Sequence, residues 1–107
     1  MGLWYVQTWT VTKGKFDEHE EIMRKMQKVS HERPELDKTM EYFIKKFGPM
    51  GGRVMILKFD SLAESENFFA KLDKIENEED FQLRKEWRKC IDYNTWKGFF
   101  WVERPLE

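Results

Sequence analysis

The chain has one cysteine, Cys90. Without a second thiol an intrachain disulfide is excluded, and a reducing compartment is the simpler reading. Histidine is scarce too: only His19 and His31 occur, and with a lone cysteine they complete no zinc pattern. Neither sign of charge dominates. Lys and Arg number 19 against 20 Asp and Glu, a net charge of −1, so nothing favours a grip on phosphate backbones. No apolar run approaches the length of a membrane span. Residues 1–12 lack the basic start and unbroken apolar stretch of a signal peptide. Gly48, Gly51 and Gly52 precede a predicted strand, so no helix N-terminus is there to cradle a phosphate. The expectation is a cytoplasmic protein with no metal, nucleic-acid or membrane partner.

What the chain does have is aromatic bulk. Aromatic residues make up 16% of its 107 positions, including five tryptophans. That length fits one domain, 1–107, with one core. The aromatics gather on predicted strands whose two faces are both apolar. In the first strand Trp4 and Val6 point one way, and Leu3, Tyr5, Trp9 and Val11 the other. In the last, Trp96, Phe100 and Val102 share one side, and Phe99 and Trp101 the other. A strand wet on one face alternates apolar with polar. These need two covers, and in so short a chain the expected second cover is another copy of the same chain, a homodimer joined through sheet faces.

The order of elements follows from local signals. Residues 3–12 are rich in strand formers. Asp17 and Glu20 stand at capping-box spacing ahead of a helix to about Val29, with Ile22, Met23, Met26 and Val29 as its stripe. Residues 39–47 and 53–59 read as a hairpin around the glycine-rich turn. Ser61 and Glu64 form a second capping box, opening a helix with Leu62, Phe68, Phe69, Leu72 and Ile75 inward. A further helix runs from Asn77 to about Ile91, acidic at its start and basic at its end, with Phe81, Trp87 and Ile91 inward. The last strand covers residues 95–103. The predicted fold is therefore α+β: a ferredoxin-like βαββαβ domain with one extra helix before the last strand and an antiparallel four-stranded sheet.

Three stretches give the chain a family look. They are the Trp/Tyr-rich first strand running into Lys13-Gly14-Lys15-Phe16, the hairpin from Phe47 to Val54, and Phe59-Asp60-Ser61-Leu62-Ala63-Glu64-Ser65-Glu66. With them the sequence resembles the dimeric α+β barrel superfamily, and within it most the NIPSNAP-like and antibiotic-biosynthesis-monooxygenase-like proteins. The resemblance implies two sheets face to face in a homodimer, helices outside, and an apolar cavity between sheet and helices. The haem-degrading relatives place an Asn in the first strand. Here Asn occurs only at 67, 77 and 94, which speaks against haem, and no cofactor is expected.

Candidate chemistry is sparse. His19 lies one helical turn before Ile22 and Met23, so it is the candidate catalytic base, against the blander reading of a core-edge histidine. Tyr5, Trp9, Tyr42 and Trp96 each join a polar group to an apolar body and are the candidate ligand-cavity wall, against simple dimer packing. Glu18, Glu20 and Glu21 read as a solvated first turn. Cys90 reads as a buried inert thiol. The leading expectation is a homodimer with a small apolar cavity for an aromatic or apolar ligand. The alternatives are a cofactor-independent monooxygenase or isomerase acting on a small aromatic substrate, and a non-enzymatic interaction or ligand-carrier protein.

Overall fold

The computed structural model describes residues 2–33, 40–45, 50–76, 82–104 and 106. Its elements run β1 (Leu3–Val11), α1 (Phe16–Glu32), β2 (Met40–Ile44), β3 (Gly52–Phe59), α2 (Leu62–Glu76), α3 (Leu83–Lys89) and β4 (Ile91–Val102). The strands form one antiparallel sheet in the order β2-β3-β1-β4. The ferredoxin-like order with an added helix is what the sequence pattern predicts.

Several boundaries differ from expectation, each for a local reason. α1 starts at Phe16, and Lys15 occupies its cap position without capping the helix through its side chain. Asp17 is thus inside the first turn, where its charge suits the helix dipole, and the expected Asp17–Glu20 capping box does not form. At its other end α1 runs to Glu32. Arg33 then turns extended, as a residue before proline must. The second capping box is present: Ser61 Oγ accepts from the Glu64 N–H, and Glu64 Oε2 accepts from the Asp60 N–H. Leu62, expected inward, opens α2 on its solvent side and is exposed. The predicted Asn77 start of the third helix, with Phe81, lies outside the described residues, as does the side chain of Ile75. Ile91 is buried as expected, but as the first residue of β4, which begins four positions earlier than predicted.

Gly51 makes the entry to β3 possible. Its φ of +87° belongs to the left-handed region, and a Cβ there would stand 2.9 Å from the Val11 carbonyl oxygen. Its own carbonyl accepts from the Val11 N–H.

Register assigns the two apolar faces. Opposed residues share a face, so Tyr5, Leu57, Met40 and Phe100 form one row, and Gln7, Met55, Tyr42 and Gly98 the next. All three helices pack over this face. Trp9, Val11, Ile22, Met23, Trp87, Cys90 and Ile91 make its core cluster. The other face carries Glu41, Ile56, Val6 and Phe99 in one row and Phe43, Val54, Thr8 and Lys97 in another, with Trp4 and Trp101 beyond. No described helix packs on it. Trp101 and Phe43 are about half exposed, and Lys58 lies over the Trp4 ring while pairing with Glu41 at the rim.

One irregularity shapes the interior. Thr8 pairs with Lys97 and Thr10 with Asp92, so residues 93–96 of β4 face Trp9 alone. Thr95 stitches the excursion: its Oγ1 accepts from the Thr10 N–H and donates to the Asp92 carbonyl. The extra chain carries Tyr93 and Trp96, stacked on each other, over the helix-facing side of the sheet.

No helix among the described residues is long and apolar enough to cross a membrane.

Candidate functional site

Between the sheet and the helices lies a cavity of about 300 Å³. Its floor is Tyr5, Gln7 and Trp9 of β1 with Met55 and Leu57 of β3. Met23 and Met26 of α1 and Phe68, Phe69 and Leu72 of α2 close it from above. Trp87 and Arg84 of α3 and the Tyr93–Trp96 pair of β4 complete one side. Thioethers and aromatic rings dominate, and both adapt well to a flat apolar guest. The volume falls at the lower end of that of small-molecule sites.

Behind Trp9 sits a buried polar network. His19, fully buried, accepts the Trp9 indole N–H on Nε2 at 2.9 Å. An indole only donates, so Nε2 carries no proton and Nδ1 does. Nδ1–H then points to Glu20 Oε1 at 3.2 Å. Glu20 also accepts from the Tyr42 hydroxyl at 2.9 Å and from Arg53 Nε at 2.9 Å. Arg53 Nε also donates to the Tyr42 oxygen at 2.8 Å, and the guanidinium bonds the Gly52 carbonyl. Arg53 shares the parity of Met55, Leu57 and Phe59, so its charge is folded into the helix-facing layer and requires a carboxylate.

The environment sets each proton. Burial lowers the His19 pKa below its ordinary 6.5, more than the Glu20 carboxylate raises it. Burial raises that of Glu20, but the bonds from Tyr42, Arg53 and His19 outweigh it and hold the carboxyl below 4.5. Burial, with the Glu20 carboxylate beside it, pushes the Tyr42 phenol far up, so it stays a donor. At neutral pH the network is therefore Arg53⁺, Glu20⁻ and a neutral His19.

A pH dependence follows. The unfolded chain binds a proton at His19 near pH 6.5, and the folded chain resists it. Stability is complete above that pH and falls as pH drops toward the lowered folded value. Glu20 adds a second loss below pH 4.5, where its ionised form is still favoured by folding. The urea midpoint is expected to fall between about pH 7.5 and 5.5, and His19→Gln, which keeps an acceptor for Trp9, is expected to flatten that interval. An equal slope in both proteins would refute the assignment.

No protein-family model matches the chain, and no curated protein matches it. Solved structures do. A NIPSNAP family protein from Agrobacterium tumefaciens has a TM-score of 0.77 over 99% of this chain and 96% of its own, at 15% identity. A NIPSNAP-like domain protein from Burkholderia xenovorans has 0.74 over 99% and 88%, at 11% identity. The cofactor-independent oxygenase SnoaB from Streptomyces nogalater has 0.65 over 97% and 94%, also at 11%.

The chain has the fold of the NIPSNAP-like proteins.

In this NIPSNAP-like fold the residues singled out from sequence divide into two groups. Tyr5, Trp9 and Trp96 come together on the cavity wall. Tyr42 lies instead in the network, with its ring stacked 6.4 Å from that of Trp9. His19 is neither in solvent nor on the wall; its one basic nitrogen is spent on Trp9, which is on the wall. Glu20 is not part of a solvated first turn, because Arg53 and Tyr42 draw it inward. Cys90 is buried, and burial pushes its thiol up.

Sequence reasoning also passed over Gln7, the polar residue in the middle of the apolar floor. The alternation of β1 places it between Tyr5 and Trp9, which is a legible anomaly. Trp87 has the opposite peculiarity: its buried Nε1 has no hydrogen-bond partner among the described residues. A buried donor left so costs roughly 1–3 kcal/mol.

Proposed function

We propose that the protein is a homodimer, joined through the outer faces of its two sheets, in which each subunit binds a small apolar ligand between sheet and helices. The observation that carries the reading is the cavity of about 300 Å³ with its aromatic and methionine lining. A chain whose only task was to pack would fill that space, because voids forfeit dispersion and transfer energy. The outer face, where Phe43 and Trp101 are about half exposed beside Phe99 and the rim carries Glu41, Lys58 and Lys97, supports the dimer. An apolar centre inside a charged rim is how interfaces are built.

Indane, a nine-carbon hydrocarbon, tests the cavity. It is expected to raise the melting temperature of the protein and to shift the methyl resonances of Met23, Met26 and Met55. Absence of both effects at its solubility limit would overturn the binding reading.

The likeness to SnoaB favours a second reading, in which the ligand is an aromatic substrate oxidised without flavin or metal. It requires oxygen uptake on addition of the substrate alone. In that reading His19 acts as a positioning residue, holding the Trp9 indole on the cavity wall, because its Nε2 is not free to take a substrate proton.

A further inference from the structure

Gln7 lies in the centre of the helix-facing floor, opposite Met55 on one side and Gly98 on the other. Its Oε1 accepts the Trp96 indole N–H at 2.9 Å. Because an indole can only donate, that bond fixes which way the amide is turned. The amide nitrogen, with two N–H groups, is left without a hydrogen-bond partner among the described residues.

Gly98 gathers a second donor to the same place. A Cβ on Gly98 would stand 2.6 Å from the Tyr5 hydroxyl oxygen and 2.8 Å from the Trp96 ring edge. The absence of a side chain there lets the hydroxyl and the indole lie against the strand beside Gln7. The Tyr5 ring is held by Phe69 and Phe100, each with its centroid 5.0 Å away. Its hydroxyl likewise has no partner among the described residues. Burial raises the Tyr5 pKa, so the group remains a donor at neutral pH.

The geometry points to Gln7 and Tyr5 as a paired donor seat for one oxygen acceptor of the ligand, so that this cavity selects neutral apolar molecules bearing a carbonyl oxygen over plain hydrocarbons. Neutrality follows from the charged groups in the wall: Asp73 and Arg84 carry opposite signs and favour no ligand charge. Methionine and aromatic surface takes the rest of the molecule. A ligand that fills the cavity without an acceptor leaves both donors dry and unpaired, and that penalty is the source of the selection.

The inference rests on the ligand-binding reading of the cavity, and one pair of probes separates the two. Indane and 1-indanone differ by one carbonyl oxygen. Binding of both is measured by calorimetry, and the Gln7 side-chain amide signals are followed in ¹H–¹⁵N spectra. The wild type is expected to bind 1-indanone about tenfold more tightly than indane, with the Gln7 amide signals shifted by the ketone alone. Tyr5→Phe, which keeps the ring contacts, is expected to reduce the preference about threefold. Gln7→Met is expected to reduce it similarly while still admitting indane. If indane binds and 1-indanone binds no better, the donor seat is wrong and the cavity reading stands. A tenfold preference that survives both substitutions also overturns the seat. If neither probe binds, the cavity reading fails and the seat falls with it.

Discussion

Glu20→Ala is expected to destabilise the fold by about 3–5 kcal/mol, the usual cost of removing one member of a buried ion pair. The Arg53 side chain is only 7% exposed, and among the described residues its carboxylate contact is Glu20, at 2.9 Å. Removing the carboxylate strands the guanidinium in the layer between sheet and helices. It also releases the Tyr42 hydroxyl and the His19 Nδ1–H, so the support behind Trp9 loosens in the same step. A domain of this size has roughly 5–15 kcal/mol in all, so the variant sits near the edge of folding. Urea denaturation measures the loss. The double variant Glu20→Leu/Arg53→Met, which removes both charges, is expected to recover most of it, since desolvating a pair costs nearly what the pair returns. A loss below about 1 kcal/mol in Glu20→Ala would show that the ion pair does not hold the layer together.

Trp101→Lys is expected to break the proposed dimer. Trp101 is 51% exposed on the outer face, in ring contact with Phe99, so a single subunit tolerates a lysine there. A two-fold interface places the substitution in both copies. Forfeiting about 1.5–3 kcal/mol of apolar burial per side chain then raises the dissociation constant roughly a hundred- to ten-thousandfold. Sedimentation equilibrium at micromolar concentration is expected to give the dimer mass for the wild type and the monomer mass for the variant. A monomeric wild type, or a variant that dimerises as tightly, would overturn the assembly.

The fold was legible in the sequence because the signals for it are local and redundant. Strand formers, glycine turns and the Ser61 and Glu64 capping box fall in an order that admits few topologies, although among the described residues β2 ends at Ile44 and α3 spans only Leu83–Lys89, both shorter than their patterns suggest. Parity along β1 correctly grouped Tyr5 with Trp9 and Trp4 with Val6. The site was legible only in part. Tyr5, Trp9 and Trp96 were singled out for combining a polar atom with apolar bulk, and that chemistry does bring them to one cavity. Glu20 was misread because three glutamates within four positions look like a wet helix turn. Nothing within the helix reveals that Arg53, distant in sequence, reaches across to one of them.

By itself the sequence determined the secondary structure, the single cysteine's isolation, the balance of charge and the two-sided apolar character of the strands. Those properties depend on residue type and on periods of two and 3.6. Tertiary structure alone decided which face meets the helices, because parity groups residues without saying what covers them. It also decided that His19 faces Trp9, that Gln7 turns its amide oxygen to Trp96, and that Gly98 makes room for the Tyr5 hydroxyl. Each depends on register across strands, and the four-residue excursion of β4 opposite Trp9 sets that register by pairings no local pattern contains.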